Sequence, residues 1–134
     1  MRIGALKLKA QIFCGEETAI GPGKADLLEA IDREGSISAA GRAMGMSYRR
    51  TWLLVDTLNR CWRERVVETV PGGSRERGAR LTEFGRTVLQ SYRDLETRLA
   101  SATQDDTYAE LLSLLRPAPL PATEPRARVA PISD

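Results

Sequence analysis

The first part of the chain alternates apolar and polar side chains. Between residues 6 and 13 most apolar side chains fall at every second position, which is the period of a β-strand with one exposed face. The alternation ends at Gly15, and a turn over residues 20–23 follows. These features predict one strand ahead of the first helix.

Three segments with the apolar spacing of amphipathic helices come next. The first begins at Lys24, while Ser36 is a suitable N-cap for a short helix over residues 37–44 and Ser47 for a third helix. Gly45 is expected to turn the chain between the second and third helices, where a Cβ would clash. The third helix is predicted to have an inward group, Thr51, Trp52, Val55, Leu58 and Asn59 or Trp62, and an outward group, Arg49, Arg50, Leu53, Asp56 and Arg60.

A hairpin and a long helix are predicted after the third helix. A β-branched run over residues 66–70 is followed by a glycine-rich, charged stretch that leads into Ala79, Arg80 and Leu81, as in a hairpin with a basic tip. Thr82 is suited to cap a helix with one apolar seam, and a leucine-rich helix is predicted over residues 106–115.

Together these elements predict a mainly α fold with a small β component. The expected architecture is a winged helix-turn-helix with a β-hairpin wing and a long C-terminal dimerisation helix. We divide the chain into a winged-helix domain over residues 1–100 and a leucine-rich dimer contact over residues 101–116. Prolines and alanines dominate residues 117–134, which is typical of a disordered tail.

The composition argues against an enzyme. The 134 residues include no histidine, which is the most frequent general base and metal ligand, so we expect no catalytic residue, no metal and no cofactor. Cys14 and Cys61 lack CxxC spacing and are interpreted as buried apolar side chains of a cytoplasmic protein. No apolar run reaches the ~18 residues of a membrane span, so no membrane association is expected.

The net charge of +2 is distributed unevenly along the chain. Residues 42–86 contain ten arginines and only five acidic residues. Because arginine suits phosphates and base edges, this basic region predicts contact with double-stranded DNA. The expected DNA-binding residues are Arg42, Ser47, Tyr48, Arg49, Arg50, Leu53, Arg75, Arg77 and Arg80.

Other interpretations of these residues stay open. Arg49 and Arg50 also fit a solvated helix face, and the arginines of the hairpin also fit a soluble loop. Tyr48 fits either packing against the second helix or a phosphate contact. The inward position of Trp52 predicts that it belongs to the core. The alternative is that it stacks on the bases of single-stranded nucleic acid. A protein-interaction module is the alternative function.

The same motifs resemble a known family over about residues 6–100. The Ser-Tyr-basic-X-X-Trp run at residues 47–52 and the glycine-containing wing are the most specific of them. The segments 21–28, 35–40, 46–52 and 81–85, with Asn59, Gly72 and Gly73, resemble the N-terminal DNA-binding domain of the ModE molybdate-responsive regulators. The resemblance implies a transcriptional regulator that binds specific DNA sequences as a homodimer.

The resemblance does not extend to molybdate binding. The family normally carries C-terminal β-barrel domains for oligomerisation and molybdate, whereas this chain has a proline-rich segment after Arg116. No run similar to the family's Ser-Ala-Arg-Asn molybdate motif occurs in the sequence. We therefore expect that this chain does not bind molybdate.

Dimerisation is expected through the long helix. Its seam exceeds what a small three-helix core can cover, so at least its C-terminal half should meet a second copy. Packing of the whole seam against the first helix is the alternative. The expected interface residues are Phe84, Val88, Tyr92, Leu95, Leu99, Leu111 and Leu115.

Overall fold

Helices and small antiparallel hairpins alternate in the computed structural model, which describes residues 1–71 and 78–123. In chain order the elements are β1 (Arg2–Ile3), β2 (Leu6–Lys7), β3 (Ile12–Cys14), β4 (Glu17–Ile20), α1 (Pro22–Glu34), α2 (Ile37–Ala43), α3 (Tyr48–Cys61), β5 (Val67–Val70), β6 (Gly78–Leu81), α4 (Glu83–Ser101) and α5 (Asp106–Ser113). Helices α1 to α3 and the β5–β6 hairpin confirm the predicted winged helix-turn-helix.

The single strand predicted over residues 6–13 is wrong. Gly4 has a φ of +57° where β1 turns back onto β2, and Gly15 has a φ of +59° where β3 turns back onto β4. Glycine adopts these left-handed conformations without steric cost, so it permits two tight hairpins. The turn predicted over residues 20–23 is replaced by the end of β4 and the start of α1.

Serine side chains cap α2 and α3 at the predicted positions. The Ser36 Oγ accepts a hydrogen bond from the Ala39 N–H at 3.0 Å, and the Ser47 Oγ accepts one from the Arg50 N–H at 3.1 Å. Gly45, between these helices, has a φ of +69°, and no atom of the described residues lies within 4 Å of an ideal Cβ there. Glycine is therefore required by the left-handed backbone and not, as expected, by a clash.

Helices α2 and α3 cross closely at Gly41. An ideal Cβ on Gly41 would lie 2.3 Å from the Thr51 Oγ1, which itself donates a hydrogen bond to the Ser47 carbonyl at 2.7 Å. Of the alanines of α2, only Ala40 is buried. The missing side chain of Gly41 thus sets the closest approach of the two helices.

The hydrophobic core lies between α1, the inner faces of α3 and α4, and the strands β4 to β6. Its largest fully buried side chains belong to Ile20, Leu27, Leu28, Ile31, Leu58, Val66 and Val67. Helix α4 closes the core with Val88 and Tyr92, and the Tyr92 hydroxyl donates a hydrogen bond to the Ala10 carbonyl at 2.8 Å.

The assignment of both cysteines to the core is wrong. Cys14 is exposed, and Cys61 is half-buried at the end of α3. All three residues of β3 are exposed, because within the described ranges its sheet consists of β3 and β4 alone and lies at the surface.

Candidate nucleic-acid interface

The first turns of α3 form an exposed polar surface. The helix buries Thr51, Val55 and Leu58, and its period of 3.6 residues leaves the outward group predicted from the sequence on the opposite side. Tyr48 and Leu53 are 61% and 48% exposed. The exposed residues of this surface, counted from the N-cap of α3, are Ser47, Tyr48, Arg49, Arg50 and Leu53.

Two arginines of this surface have charges that the rest of the described structure does not neutralise. Arg49 and Arg50 make no ion pair with residues 1–71 or 78–123. Exposed guanidinium groups that make no ion pair within the protein can donate several hydrogen bonds to phosphate or base oxygens. Arginines that do contact carboxylates are Arg33, Arg60, Arg80, Arg86 and Arg93.

A cleft beside α3 contains two lysines that no sequence motif assigns to the DNA-binding surface. The cleft has a volume of about 250 Å³ and is lined by Lys9, Lys24 and Arg50, with no acidic residue in its lining. Neither lysine pairs with a carboxylate among the described residues. Lys9 and Lys24 precede α2 and α3 in the chain, so only the tertiary fold brings them beside Arg50.

The strands of the wing, β5 and β6, pair in antiparallel fashion. Arg80 of β6 is opposite Glu68 of β5, and its Nε lies 2.7 Å from the Glu68 Oε1. The Arg80 side chain remains exposed while it makes this pair. Arg75 and Arg77, which were expected to contact DNA from the tip, lie outside the described residues.

Asn59 fixes the orientation of the wing relative to α3. Its Oδ1 accepts hydrogen bonds from the N–H groups of Val66 at 2.8 Å and Val67 at 3.0 Å, and its Nδ2 donates to the Val67 carbonyl at 3.1 Å. One side chain thereby satisfies three backbone groups at the entry to β5. The wing and the exposed surface of α3 are therefore held in one arrangement.

The assignment of Trp52 to the core is wrong. Trp52 is 47% exposed and lines a groove of about 170 Å³ between α3 and β5. At the tight crossing, Gly41 of α2 lies directly against Thr51 of α3. Successive residues of an α-helix are rotated by about 100°, so Trp52 points away from this contact. Arg42, in the last turn of α2, is also exposed.

Two curated bacterial proteins are similar to the chain. The molybdenum transport protein ModE of Azotobacter vinelandii is 41% identical over 85 residues, which are 63% of this chain and 32% of that protein. The DNA-binding transcriptional dual regulator ModE of Escherichia coli (strain K12) is 30% identical over 113 residues, which are 82% of this chain and 41% of that protein. The chain thus spans about a third to two fifths of the length of these relatives.

A solved structure supports the fold. A MarR family protein from Bacillus stearothermophilus aligns with a TM-score of 0.50 and 22% identity, over 71% of this chain and 67% of that one. No protein-family model matches the chain. This is a ModE-type winged-helix domain.

The seam of α4 divides into a buried and an open part in this ModE-type domain. Val88 and Tyr92 are 8% and 3% exposed, so they belong to the chain's own core and not to a surface for a second copy. For Val88 and Tyr92 the alternative expectation therefore applies, namely that the seam of α4 packs within its own chain. The other expected interface residues comprise half-buried Phe84 and Leu95 and exposed Leu99, Leu111 and Leu115.

The described part of the ModE-type domain has neither a metal cluster nor a membrane helix. No three histidine, cysteine or acidic side chains in residues 1–71 and 78–123 are grouped so that they would hold a metal ion. None of the helices in these ranges combines the length and the apolar character needed to cross a membrane.

Proposed function

We propose that the chain is a cytoplasmic, non-enzymatic transcriptional regulator that binds specific double-stranded DNA sequences as a homodimer. The observation that carries this proposal is the surface at the start of α3, where Arg49 and Arg50 are exposed and without ion pairs among the described residues. The name of the Escherichia coli relative, a DNA-binding transcriptional dual regulator, supports the same conclusion.

In this proposal α3 is the recognition helix. Its N-terminal turns enter the major groove, where each base pair presents a distinct pattern of donors and acceptors. Arg49 and Arg50 read base edges, Leu53 contacts thymine methyl groups, and Ser47, Tyr48 and Arg42 contact the backbone. The wing arginines Arg75, Arg77 and Arg80 bind flanking phosphates.

Lys9 and Lys24 extend the proposed contact to a phosphate beside the recognition helix. Both lysines line the same cleft as Arg50, and a duplex phosphate is an anion that three converging cations attract. Because such a contact carries no sequence information, these lysines contribute affinity and salt dependence but not specificity.

The test is selection of genomic fragments by the purified chain, followed by fluorescence titration of the selected site. Arg49→Ala and Arg50→Ala are expected to weaken binding of that site by about 1–3 kcal/mol if each makes a bidentate base contact. Arg33→Ala is the matched control, since Arg33 is an exposed arginine that pairs with Glu34 on α1. The control is expected to bind like the unmodified protein.

Two titration outcomes would contradict the proposal. If both variants bind the selected site as tightly as the unmodified protein, α3 does not read the sequence. If no fragment is enriched and binding responds weakly to salt, the domain is a protein-interaction module, because phosphate contacts necessarily release counterions.

A further inference from the structure

Two contacts fix the C-terminal end of α3 against β4. The Arg60 Nη2 lies 3.7 Å from the Glu17 Oε1, and the Trp62 indole N–H donates a hydrogen bond to the Ala19 carbonyl at 3.2 Å. Cys61, the last residue of α3, lies between these two anchoring residues in the sequence. Its position is therefore set from both sides.

Cys14 reaches the same region from the neighbouring strand. It is directly opposite Glu17 in the antiparallel pairing of β3 with β4. Burial and, after it, the adjacent Cys14 thiol raise the pKa of Cys61. Glu17, which is opposite Cys14 and contacts Arg60, thus brings two free thiols that are distant in the sequence together where the hairpin meets the end of α3.

We propose that Cys14 and Cys61 form a dithiol site that low-molecular-weight disulfides oxidise to an intramolecular disulfide. The two thiols differ in exposure, and this difference determines the order in which they react. Cys14 is exposed and meets the external disulfide first, whereas half-buried Cys61 is reached by its neighbour more readily than by a solute.

The reaction takes place in two thiol–disulfide exchanges. The Cys14 thiolate attacks one sulfur of oxidised glutathione, so that a mixed disulfide forms and one glutathione thiolate leaves and takes a proton from water. Cys61 then loses its proton to solvent and attacks the Cys14 Sγ, which expels the second glutathione. Two protein thiols are oxidised, and one glutathione disulfide is reduced to two glutathione molecules.

The disulfide would join the N-terminal hairpin covalently to the end of α3. Such a crosslink closes a long loop of the unfolded chain, and it removes more conformational freedom from the unfolded state than from the folded one. The oxidised protein should therefore unfold at a higher temperature than the reduced protein. This inference does not depend on DNA binding.

The test is incubation of the full chain with oxidised glutathione at mildly alkaline pH, which overcomes the raised pKa of Cys61. Intact mass should decrease by two hydrogen atoms, and digestion without reductant should yield one peptide pair that links Cys14 to Cys61. The midpoint of thermal unfolding should increase by several degrees and return to its original value with dithiothreitol. Stable glutathione adducts or covalent dimers of the unmodified chain would overturn the proposal.

Single-cysteine variants test the order of reaction. Cys61→Ser should accumulate a glutathione adduct on Cys14 faster than Cys14→Ser accumulates one on Cys61, and neither should gain thermal stability on oxidation. Cys61→Ala replaces Cys61→Ser if circular dichroism shows that serine disturbs the fold at this half-buried position. Equal rates of adduct formation would contradict the assigned order.

Discussion

Gly41 is the residue whose lack of a side chain most directly determines the arrangement of α2 and α3. An alanine there would bring its Cβ to 2.3 Å from the Thr51 Oγ1, so the helices must separate. We expect Gly41→Ala to lower the free energy of unfolding in urea by about 1–3 kcal/mol, the usual cost of overpacking. Gly23→Ala is the control, because an ideal Cβ at Gly23 has no neighbour within 4 Å in the part of the chain that the structure describes. A Gly41→Ala variant as stable as the unmodified protein would show that the crossing tolerates a methyl group.

Tyr92 makes the stability of the domain sensitive to alkaline pH. Burial raises the pKa of Tyr92 in the folded state, so as pH rises above about 10, the ordinary tyrosine pKa, the unfolded state loses its proton first. The unfolded state then binds fewer protons, and the free energy of unfolding decreases with increasing pH.

We expect Tyr92→Phe to reduce this alkaline loss of stability. At neutral pH the same variant should cost about 1 kcal/mol, since the Ala10 carbonyl loses its hydrogen-bond donor. Urea denaturation at neutral pH and above pH ~10 measures both effects. Tyr48→Phe, at an exposed residue, is the control for the loss of stability at neutral pH and should have a much smaller effect there. An unaltered pH dependence in Tyr92→Phe would contradict this prediction.

Local features at the residue scale could be predicted from the sequence, whereas features that depend on distant contacts could not. The caps Ser36 and Ser47 depend only on the turn of helix that follows them. The exposure of Trp52 depends on the crossing at Gly41, which involves a second helix. The exposure of Cys14 depends on the position of a surface hairpin, and no local pattern encodes it.

At the scale of elements, Arg93 joins α4 to α1. Its Nη2 lies 2.8 Å from the Asp26 Oδ1 and also contacts Glu29, while its Nη1 lies 2.8 Å from the Glu96 Oε1. Glu96 is only 7% exposed, so removal of Arg93 would leave a buried carboxylate without a cation.

We expect Arg93→Ala to lower the free energy of unfolding by about 1–3 kcal/mol, measured by urea denaturation. The control is Arg86→Ala, which removes an exposed pair with Asp32 that also joins α4 to α1. Exposed pairs contribute little to stability, so the control should have a much smaller effect. A loss in the control as large as that in Arg93→Ala would show that the buried Glu96 is not the cause.

The wing hairpin could be predicted from the sequence, but the N-terminal hairpins could not. A β-branched run over residues 66–70, followed by a glycine-rich tip and a short segment over residues 79–81, indicates two strands and the turn between them. The alternation between residues 6 and 13 has a period of two residues whether these residues form one continuous strand or belong to two separate strands. The pattern alone therefore does not distinguish the two arrangements. In the structure the left-handed turns at Gly4 and Gly15 decide between these alternatives. The convergence of Lys9 and Lys24 on Arg50 follows from those turns and from the start of α1.

At the scale of the whole molecule, we expect that the 134-residue chain does not bind molybdate. Binding of an oxyanion requires several donors that converge in a sheltered pocket. The cleft of Lys9, Lys24 and Arg50 is open and is proposed to receive a DNA phosphate. Calorimetric titration with molybdate should give no heat of binding beyond dilution. A site of micromolar or tighter affinity would contradict this expectation.

The open part of the α4 seam and the leucines of α5 are proposed to form the homodimer interface. Leu99 is 40% exposed, and Leu111 and Leu115 are 66% and 61% exposed. The Tyr108 hydroxyl of α5 donates a hydrogen bond to the Ile3 carbonyl at 2.9 Å, which holds Leu111 and Leu115 beside the first hairpin. An apolar surface of this kind is seldom left in water by a monomer.

A homodimer also suits the proposed DNA contact, because two recognition helices related by a two-fold axis reach half-sites about one DNA turn apart, ~34–36 Å. Leu99→Glu combined with Leu111→Glu introduces charges that repel each other across a two-fold interface. We expect the variant to sediment as a monomer with an unchanged helix content and to lose tight DNA binding. Leu53→Glu, an exposed leucine on α3, is the control for dimerisation: it should weaken DNA binding and still sediment as a dimer. An unmodified protein that sediments as a monomer at tens of micromolar would refute the homodimer and, with it, the proposed binding to two half-sites related by a two-fold axis.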